Sequence, residues 1–318
     1  MRFRDRIDPE VAAALPAVPV LDLTDIPAAR VAREQLAAQA RARMPADPSV
    51  AREDHLVATL DGSAQVRVRH YRPANRPAGP LPCLYWIHGG GHVLGSVDQD
   101  DPFLESVVRT LGCAAVSVDW RRAPEHPFPT PLEDCYTGLL WTARNAERLG
   151  LDPDRIAIGG ASSGGGSAAG LALLARDRGQ VRPAFQLLIY PMLDDRTDSD
   201  LVDHPKLWGR VSNLIAWRAY LGHEPGERDG VSPYAVPARA TELGGLPPAF
   251  VATGDLDLFA DEDIEYARRL VRAGVPVELH VYPGGIHGFD LFAPDSGLAR
   301  RLVRDRDEAL ARVLGHCG

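Results

Sequence analysis

From about residue 83 onward, apolar runs of five or six residues alternate with longer stretches that have helical periodicity. Near-continuous apolar runs are typical of strands buried on both faces, and their alternation with helices is typical of a parallel sheet. The predicted strands of this part are 83–87, 113–118, 155–159, 185–190, 248–253 and 277–282. The predicted helices are 101–111, 132–149, 165–174, 260–273 and 298–314.

The chain before residue 83 has a different pattern. Residues 55–60 and 65–71 flank Asp61-Gly62, and the second of these runs alternates between apolar and polar positions. Alternation around an Asp-Gly pair is typical of a β-hairpin, so we expect two antiparallel strands at the edge of the sheet. The prediction is therefore an α/β fold whose mostly parallel, eight-stranded sheet is covered by helices.

Two stretches do not fit this rhythm. Residues 1–50 contain a strong helix former at 31–40 that precedes every strand. Residues 191–246 contain no predicted strand but do contain an aromatic, helix-like run at 208–221. Because this second stretch is too long for a plain connection, we interpret it as an insertion over the sheet. We expect one domain, 1–318, with a helical cap formed by about 1–50 and about 191–235.

A sharp turn joins the predicted strand 155–159 to the helix that follows it. Its sequence, Gly160-Ala161-Ser162-Ser163-Gly164, fits the G-x-S-x-G pattern of a nucleophile elbow. Glycines relieve the clashes of a tight, strained turn, and the serine hydroxyl then stands at a helix N-terminus, which favours negative charge. The alternative is a flexible Gly/Ser loop, and the flanking strand and helix argue against it.

A serine hydroxyl is a weak nucleophile and needs a base, a group that orients the base, and donors for an oxyanion. His88-Gly89-Gly90-Gly91 follows a predicted strand, so its backbone N–H groups and that of Ser163 are candidate oxyanion donors. A phosphate-binding loop is disfavoured because no Lys-Ser or Lys-Thr follows these glycines. His88 precedes the serine, which is the wrong order for the base, so we interpret it as a structural histidine.

The base should follow the last strand, where His287 lies on a glycine-rich loop. His280 lies inside that strand and His316 in the tail, so both are weaker candidates. Position alone does not select the acid among five carboxylates that follow the preceding strand. These are Asp255, Asp257, Asp261, Glu262 and Asp263.

Several motifs in this order resemble those of the bacterial hormone-sensitive-lipase-like (family IV) carboxylesterases, a branch of the α/β-hydrolase superfamily. The similarity runs from about residue 55 to the end of the chain. Residues 88–91 are similar to the family's HGGG loop, and residues 160–165 are similar to its GDSAGG elbow. The remaining motifs are 119–129 (DYRLAPE-HPFP), 257–262 (DPL-x-DE) and 286–289 (HGF).

The resemblance implies an α/β-hydrolase fold with a cap, and it selects Asp257 as the acid beside Ser162 and His287. It implies an oxyanion hole formed by Gly90, Gly91 and Ser163. It also implies hydrolysis of short- to medium-chain carboxylic esters without a cofactor, and a homodimer formed through the last strand and helix. The chain departs from the family pattern at three positions, Ala161, Ser163 and Leu258, where the family has Asp, Ala and Pro.

Substrate specificity would depend on the cap. The candidate pocket residues are His92, Trp208, Trp217 and Tyr220, and packing in the core is the alternative for each of them. Amide, carbamate or lactone hydrolysis, or acyl transfer, would use the same three catalytic residues. A hydrolase-fold receptor without catalysis is a further alternative, and the retained serine, acid and histidine argue against it.

Composition narrows the class of protein and its partners. The 318 residues carry a formal net charge of −8 without a basic block, which argues against nucleic-acid binding. The partner that the resemblance implies is a small-molecule ester. No stretch is apolar enough to span a membrane and no signal peptide is recognisable, so we expect no membrane anchoring. The four cysteines lack metal-binding spacing and favour a reducing cytoplasm, and we expect no metal. They are Cys83, Cys113, Cys135 and Cys317.

Overall fold

A computed structural model describes residues 2–43, 47–75, 78–202, 204–226 and 228–315, with the side chains of 40–43 excluded. His316 and Cys317 lie outside the described residues. One sheet contains eight strands in the order β1-β2-β4-β3-β5-β6-β7-β8. The strands are β1 Val50–Ala58, β2 Gln65–Pro73, β3 Leu81–Ile87, β4 Ala114–Asp119, β5 Leu151–Ala161, β6 Phe185–Ile189, β7 Ala249–Gly254 and β8 Val277–Tyr282.

The direction of the strands confirms the predicted mixed sheet. β1 and β2 form an antiparallel pair around the Asp61-Gly62 turn, and β2 is also antiparallel to β4. The other strands run parallel to their neighbours. From β3 the chain crosses to β4 on one side and then returns to β5 on the other. The loops that follow β3 and β5 therefore diverge, and such a switch point leaves a crevice at the carboxyl ends of the strands.

Helices cover both faces of the sheet. The predicted helix 132–149 is wrong in one respect, because it breaks at Asn145, whose side chain hydrogen-bonds to the Trp141 carbonyl. The short helix after the break ends at Gly150, and β5 then begins four residues before the predicted strand. The helices are α1 Pro9–Ala14, α2 Ile26–Arg43, α3 Asp101–Leu111, α4 Thr130–Arg144, α5 Ala146–Leu149, α6 Ser163–Arg178, α7 Arg210–Leu221, α8 Ala260–Arg272, α9 Phe289–Phe292 and α10 Gly297–Leu314.

Each face of the sheet has its own apolar cluster, and β3 contributes to both because its side chains alternate. Tyr85 packs on the face that α4, α6 and α8 cover, and Trp86 packs on the face that α3 and α10 cover. All seven residues of β3 are buried. The full burial of this central strand explains why its sequence is continuously apolar rather than alternating.

A third apolar cluster lies above the carboxyl edge of the sheet. It joins Leu23, which precedes α2, to Trp217 and Tyr220 of α7 and to Leu94 of the loop after β3. Among the described residues between 191 and 246, no strand is present. The two segments of the predicted cap therefore share a cluster, and the division into cap and core stays a prediction. None of the described helices has the length and hydropathy of a transmembrane span.

Candidate active site

The turn between β5 and α6 places Ser162 at the carboxyl edge of the sheet. Its φ is 57° and its ψ is −125°, a strained conformation for a residue that is not glycine. The Ser162 N–H donates to the Ile189 carbonyl at 2.9 Å, and the Ser162 carbonyl accepts from the Met192 N–H at 3.0 Å. A Cβ atom on Gly160 or Gly164 would overlap neighbouring backbone, so both glycines are required for the turn.

A row of hydrogen bonds joins three loops that are distant in the sequence. His287 Nε2 lies 2.9 Å from Ser162 Oγ, and His287 Nδ1 lies 2.7 Å from Asp257 Oδ2. The Asp257 side chain is completely buried, and its other oxygen accepts from the Phe259 N–H at 3.0 Å. The three side chains follow β5, β7 and β8, whose parallel directions bring their carboxyl ends to one edge.

The other four candidate acids lie elsewhere. Asp255 accepts from the Gly284 N–H at 2.6 Å, and Asp261 is exposed on α8. Glu262 accepts from the Leu193 N–H at 2.6 Å and from the Asp194 N–H at 3.1 Å. Asp263 is completely buried beside Thr253, and burial raises its pKa well above the usual range. Among the five, only Asp257 makes a hydrogen bond to His287.

The glycine loop after β3 lies against the elbow. A Cβ on Gly89 would meet the Ala161 carbonyl, which shows how closely the two loops pack. Gly90 and Gly91 have φ values of 133° and 59°, a region that favours glycine. The Gly90 carbonyl accepts from the N–H groups of Val93 and Leu94, at 3.1 and 2.8 Å. Backbone hydrogen bonds and close packing therefore hold the loop where it borders the serine.

The first residue of α6 is Ser163, whose N–H lies at the helix N-terminus, where backbone donors have no intrahelical partner. The Ser163 hydroxyl is buried and has no hydrogen-bond partner among the described residues. The substitution of the family's alanine by Ser163 thus leaves the backbone donor in place. Nothing in the structure explains what the added hydroxyl does.

His88 is completely buried and stacks on Trp120, with 4.6 Å between the ring centroids. Burial lowers its pKa to about 4, so the imidazole is neutral near pH 7. Its Nδ1 lies 3.0 Å from the Gly89 carbonyl. These contacts agree with a histidine that braces the glycine loop.

The candidate pocket residues occupy two different environments. Trp208 packs directly against Gly91, and its ring centroid lies 6.3 Å from that of His287. His92 and Trp217 have almost no exposed surface, and the His92 ring stacks on Tyr220 at 3.8 Å. In this structure these two residues therefore pack inside the third apolar cluster, and contact with substrate stays a prediction for them.

Two aromatic residues at the site were missed by the sequence reasoning. Tyr190 and Phe259 approach the His287 ring edge-on, with ring centroids 4.8 and 5.2 Å away. Tyr190 directly follows β6. This position at the carboxyl end of a parallel strand was the sequence signal that could have marked it as a site residue. Within the described ranges, no group of three or more His, Cys, Asp or Glu side chains is arranged to hold a metal ion.

A mostly parallel sheet that carries a serine, a histidine and an aspartate in one hydrogen-bonded row is the arrangement typical of the α/β-fold hydrolases. Comparison with known proteins agrees. A family model described as alpha/beta hydrolase fold matches residues 84–291, and the chain belongs to this family, in its hormone-sensitive-lipase-like branch.

Several relatives of this chain are named as esterases. It is 36% identical to carboxylesterase NlhH of Mycobacterium tuberculosis over 300 aligned residues, and this alignment covers 91% of each chain. It is similar to the solved structure of a bacterial heroin esterase, with a TM-score of 0.94, 44% identity and coverage of 98% and 99% of the two chains. Esterase LipW from Mycobacterium marinum matches with a TM-score of 0.87, 38% identity and coverage of 98% and 96%. The predicted enzyme class, carboxylic ester hydrolase, is confirmed at this level.

Proposed function

We propose that this chain is a serine carboxylesterase that cleaves short- to medium-chain esters through an acyl-enzyme. The single observation that carries the proposal is the hydrogen-bonded row Ser162–His287–Asp257, with separations of 2.9 and 2.7 Å. The names of the relatives support an ester as the bond that is cleaved.

In the first half-reaction, Ser162 Oγ attacks the ester carbonyl carbon while its proton passes to His287 Nε2. Asp257 accepts the hydrogen bond from His287 Nδ1–H, which fixes the tautomer and stabilises the imidazolium. The tetrahedral intermediate then collapses, and the alcohol leaves with the proton from Nε2. In the second half-reaction, His287 Nε2 takes a proton from a water whose oxygen attacks the acyl carbonyl carbon. The second tetrahedral intermediate then breaks its bond to Ser162 Oγ, which receives the proton back from Nε2 as the carboxylic acid leaves.

The negative charge of the tetrahedral intermediate would be stabilised by the backbone N–H groups of Gly90, Gly91 and Ser163. The first two belong to a loop held against the elbow, and the third begins α6. Each such donor is worth about 3 kcal/mol of transition-state stabilisation. Because these are backbone groups on a packed loop, they need no reorganisation when the charge develops.

The preference for short chains rests on Trp208. Its indole lies against Gly91 and near His287, and only 9% of the Ser162 surface is exposed. An indole in this position restricts the room for a long chain next to the nucleophile. His92 and Trp217 lie behind it in the same cluster of rings.

The test is turnover of p-nitrophenyl esters from acetyl to palmitoyl by the wild type and Ser162→Ala. We expect a maximum at short chains and a loss of about 10⁶-fold in kcat in the variant. Labelling by a fluorophosphonate should likewise require Ser162. A matched control is Ser167→Ala, which lies five residues later on α6 and should keep turnover and labelling. Retention of most turnover by Ser162→Ala would contradict the proposal.

A further inference from the structure

Backbone hydrogen bonds on both sides of Tyr190 join its segment to the turn that holds Ser162. Tyr190 lies between Ile189, whose carbonyl accepts from the Ser162 N–H, and Met192, whose N–H donates to the Ser162 carbonyl. Its own N–H donates to the Ala252 carbonyl of β7 at 2.6 Å. Its φ is 36°, a conformation that a tyrosine adopts only when its surroundings impose it.

The side chain of Tyr190 extends to the loop that carries the histidine. Its ring meets the His287 ring at 65°, with 4.8 Å between the centroids, and its hydroxyl donates to Asp290 Oδ1 at 2.9 Å. Asp290 lies on α9, three residues after His287. The tyrosine therefore joins the nucleophile turn through its backbone and the histidine loop through its side chain.

We propose that Tyr190 is a positioning residue that holds the His287 ring in line with Ser162 and fixes the Asp290 carboxylate on α9, just after the same loop. Asp290 would then be a second negative charge for the imidazolium, in addition to Asp257. The inference rests on the proposed function, because it concerns the base of the esterase reaction.

The groups around Tyr190 and Asp290 decide the protonation state of each side chain. Burial raises the pKa of the Tyr190 hydroxyl well above its usual range, so this hydroxyl stays a donor. Burial also raises the pKa of Asp290, whereas the Tyr190 hydrogen bond, Arg306 of α10 and His287 lower it. Asp257 and Asp100 are the other charged groups that act on Tyr190. Loss of the Tyr190 hydroxyl would therefore favour the neutral form of Asp290 and weaken its attraction to a protonated His287.

The experiment compares Tyr190→Phe, which removes only the hydroxyl, with Asp290→Asn and the double variant, using p-nitrophenyl acetate. We expect kcat about tenfold lower in each, with KM within about twofold. We also expect the acid limb of the kcat/KM profile to move to lower pH, because the imidazolium loses a nearby anion. The double variant should lose little more than either single one, because both break the same interaction.

Tyr71→Phe is the matched control. Tyr71 is also buried and donates to an aspartate, Asp101, at 2.7 Å, but it belongs to β2, with two strands between it and β5. A buried Tyr–Asp pair with only a structural role should lower the melting temperature without moving the pH profile. Tyr71→Phe should behave in this way, and Tyr190→Phe should not.

Wild-type kcat and an unmoved acid limb in folded Tyr190→Phe would overturn the inference. If Tyr190→Phe does not fold, the same two readouts in Asp290→Asn decide. Failure of the proposed function is distinguishable, because turnover would then survive in Ser162→Ala. If Ser162→Ala is inactive while Tyr190→Phe and Asp290→Asn both match the wild type, the proposed function stands and only this inference is wrong.

Discussion

Ser162 lies between two regions that are built differently. The sheet edge below it holds the elbow and the glycine loop by backbone hydrogen bonds and backbone packing, as at Gly89 and Gly164. The predicted cap segments above it share an apolar side-chain cluster, and the Lys206 side chain donates to the Pro16 carbonyl at 2.7 Å. Our prediction is that the sheet edge sets the reaction and that the predicted cap sets which ester fits. Changes at the edge should reduce kcat, and changes in the cap should alter selectivity.

The largest expected effect is in the sheet edge. Asp257→Asn should lower kcat about 10⁴-fold, because an asparagine at 2.7 Å from His287 Nδ1 favours the wrong tautomer. Steady-state kinetics with p-nitrophenyl acetate measure the loss. The exposed Asp261→Asn is the matched control and should keep wild-type turnover. Equal activity of the two variants would contradict the role of Asp257.

The next effect concerns stability where the two regions meet. Burial lowers the pKa of His92 to about 3, and neither ring nitrogen has a hydrogen-bond partner among the described residues. Below about pH 6.5 the unfolded chain binds a proton here that the folded protein does not bind, so the free energy of unfolding falls with falling pH. His92→Phe removes this proton-binding difference. Between pH 7.5 and 5, the wild type should therefore lose on the order of 2 kcal/mol more than the variant.

Urea unfolding at the two pH values measures this difference. His126→Phe, the same replacement at an exposed histidine, should keep the wild-type dependence on pH. An equal loss in His92→Phe and wild type would show that His92 is protonated in the folded protein.

Trp208→Ala tests the cap directly. Removal of the indole that lies against Gly91 should move the preferred acyl chain to longer esters, with the octanoate-to-acetate ratio of kcat/KM rising about tenfold. Fluorophosphonate labelling of Ser162 should remain, since the hydrogen-bonded row is untouched. A uniform fall in turnover on all esters would show that Trp208 supports the chemical step and does not select the acyl chain.

The smallest effect should come from a surface contact of the cap. Glu125 pairs with Arg30 of α2 at 2.7 Å but is half exposed, and Arg30 also donates to the carbonyls of Val93 and Ala123. Glu125→Gln should lower the free energy of unfolding by less than about 1 kcal/mol and leave the chain-length profile unchanged. Thermal unfolding and the ester series check both. A changed profile would show that this ion pair shapes the pocket.

The sequence by itself determined the order of strands and helices, the Asp61-Gly62 hairpin, the Gly160–Gly164 turn and the loop that carries His287. These features depend on neighbours in the chain: apolar periodicity, and glycines where the backbone turns sharply. Local pattern was insufficient at Asn145, where a side-chain hydrogen bond to the Trp141 carbonyl accompanies the end of a helix that periodicity alone would continue.

Only the tertiary structure decided which side chains meet. From the residues alone, five acids were equivalent, and the structure brings Asp257 to His287, which in turn meets Ser162 from 125 residues away. It also separated Trp208, whose ring lies 6.3 Å from that of His287, from Trp217, which is completely buried in the third apolar cluster. The reason is physical: these contacts depend on how parallel strands align their carboxyl ends and how the segments around Trp208 and Trp217 pack above them. No short stretch of the chain specifies either.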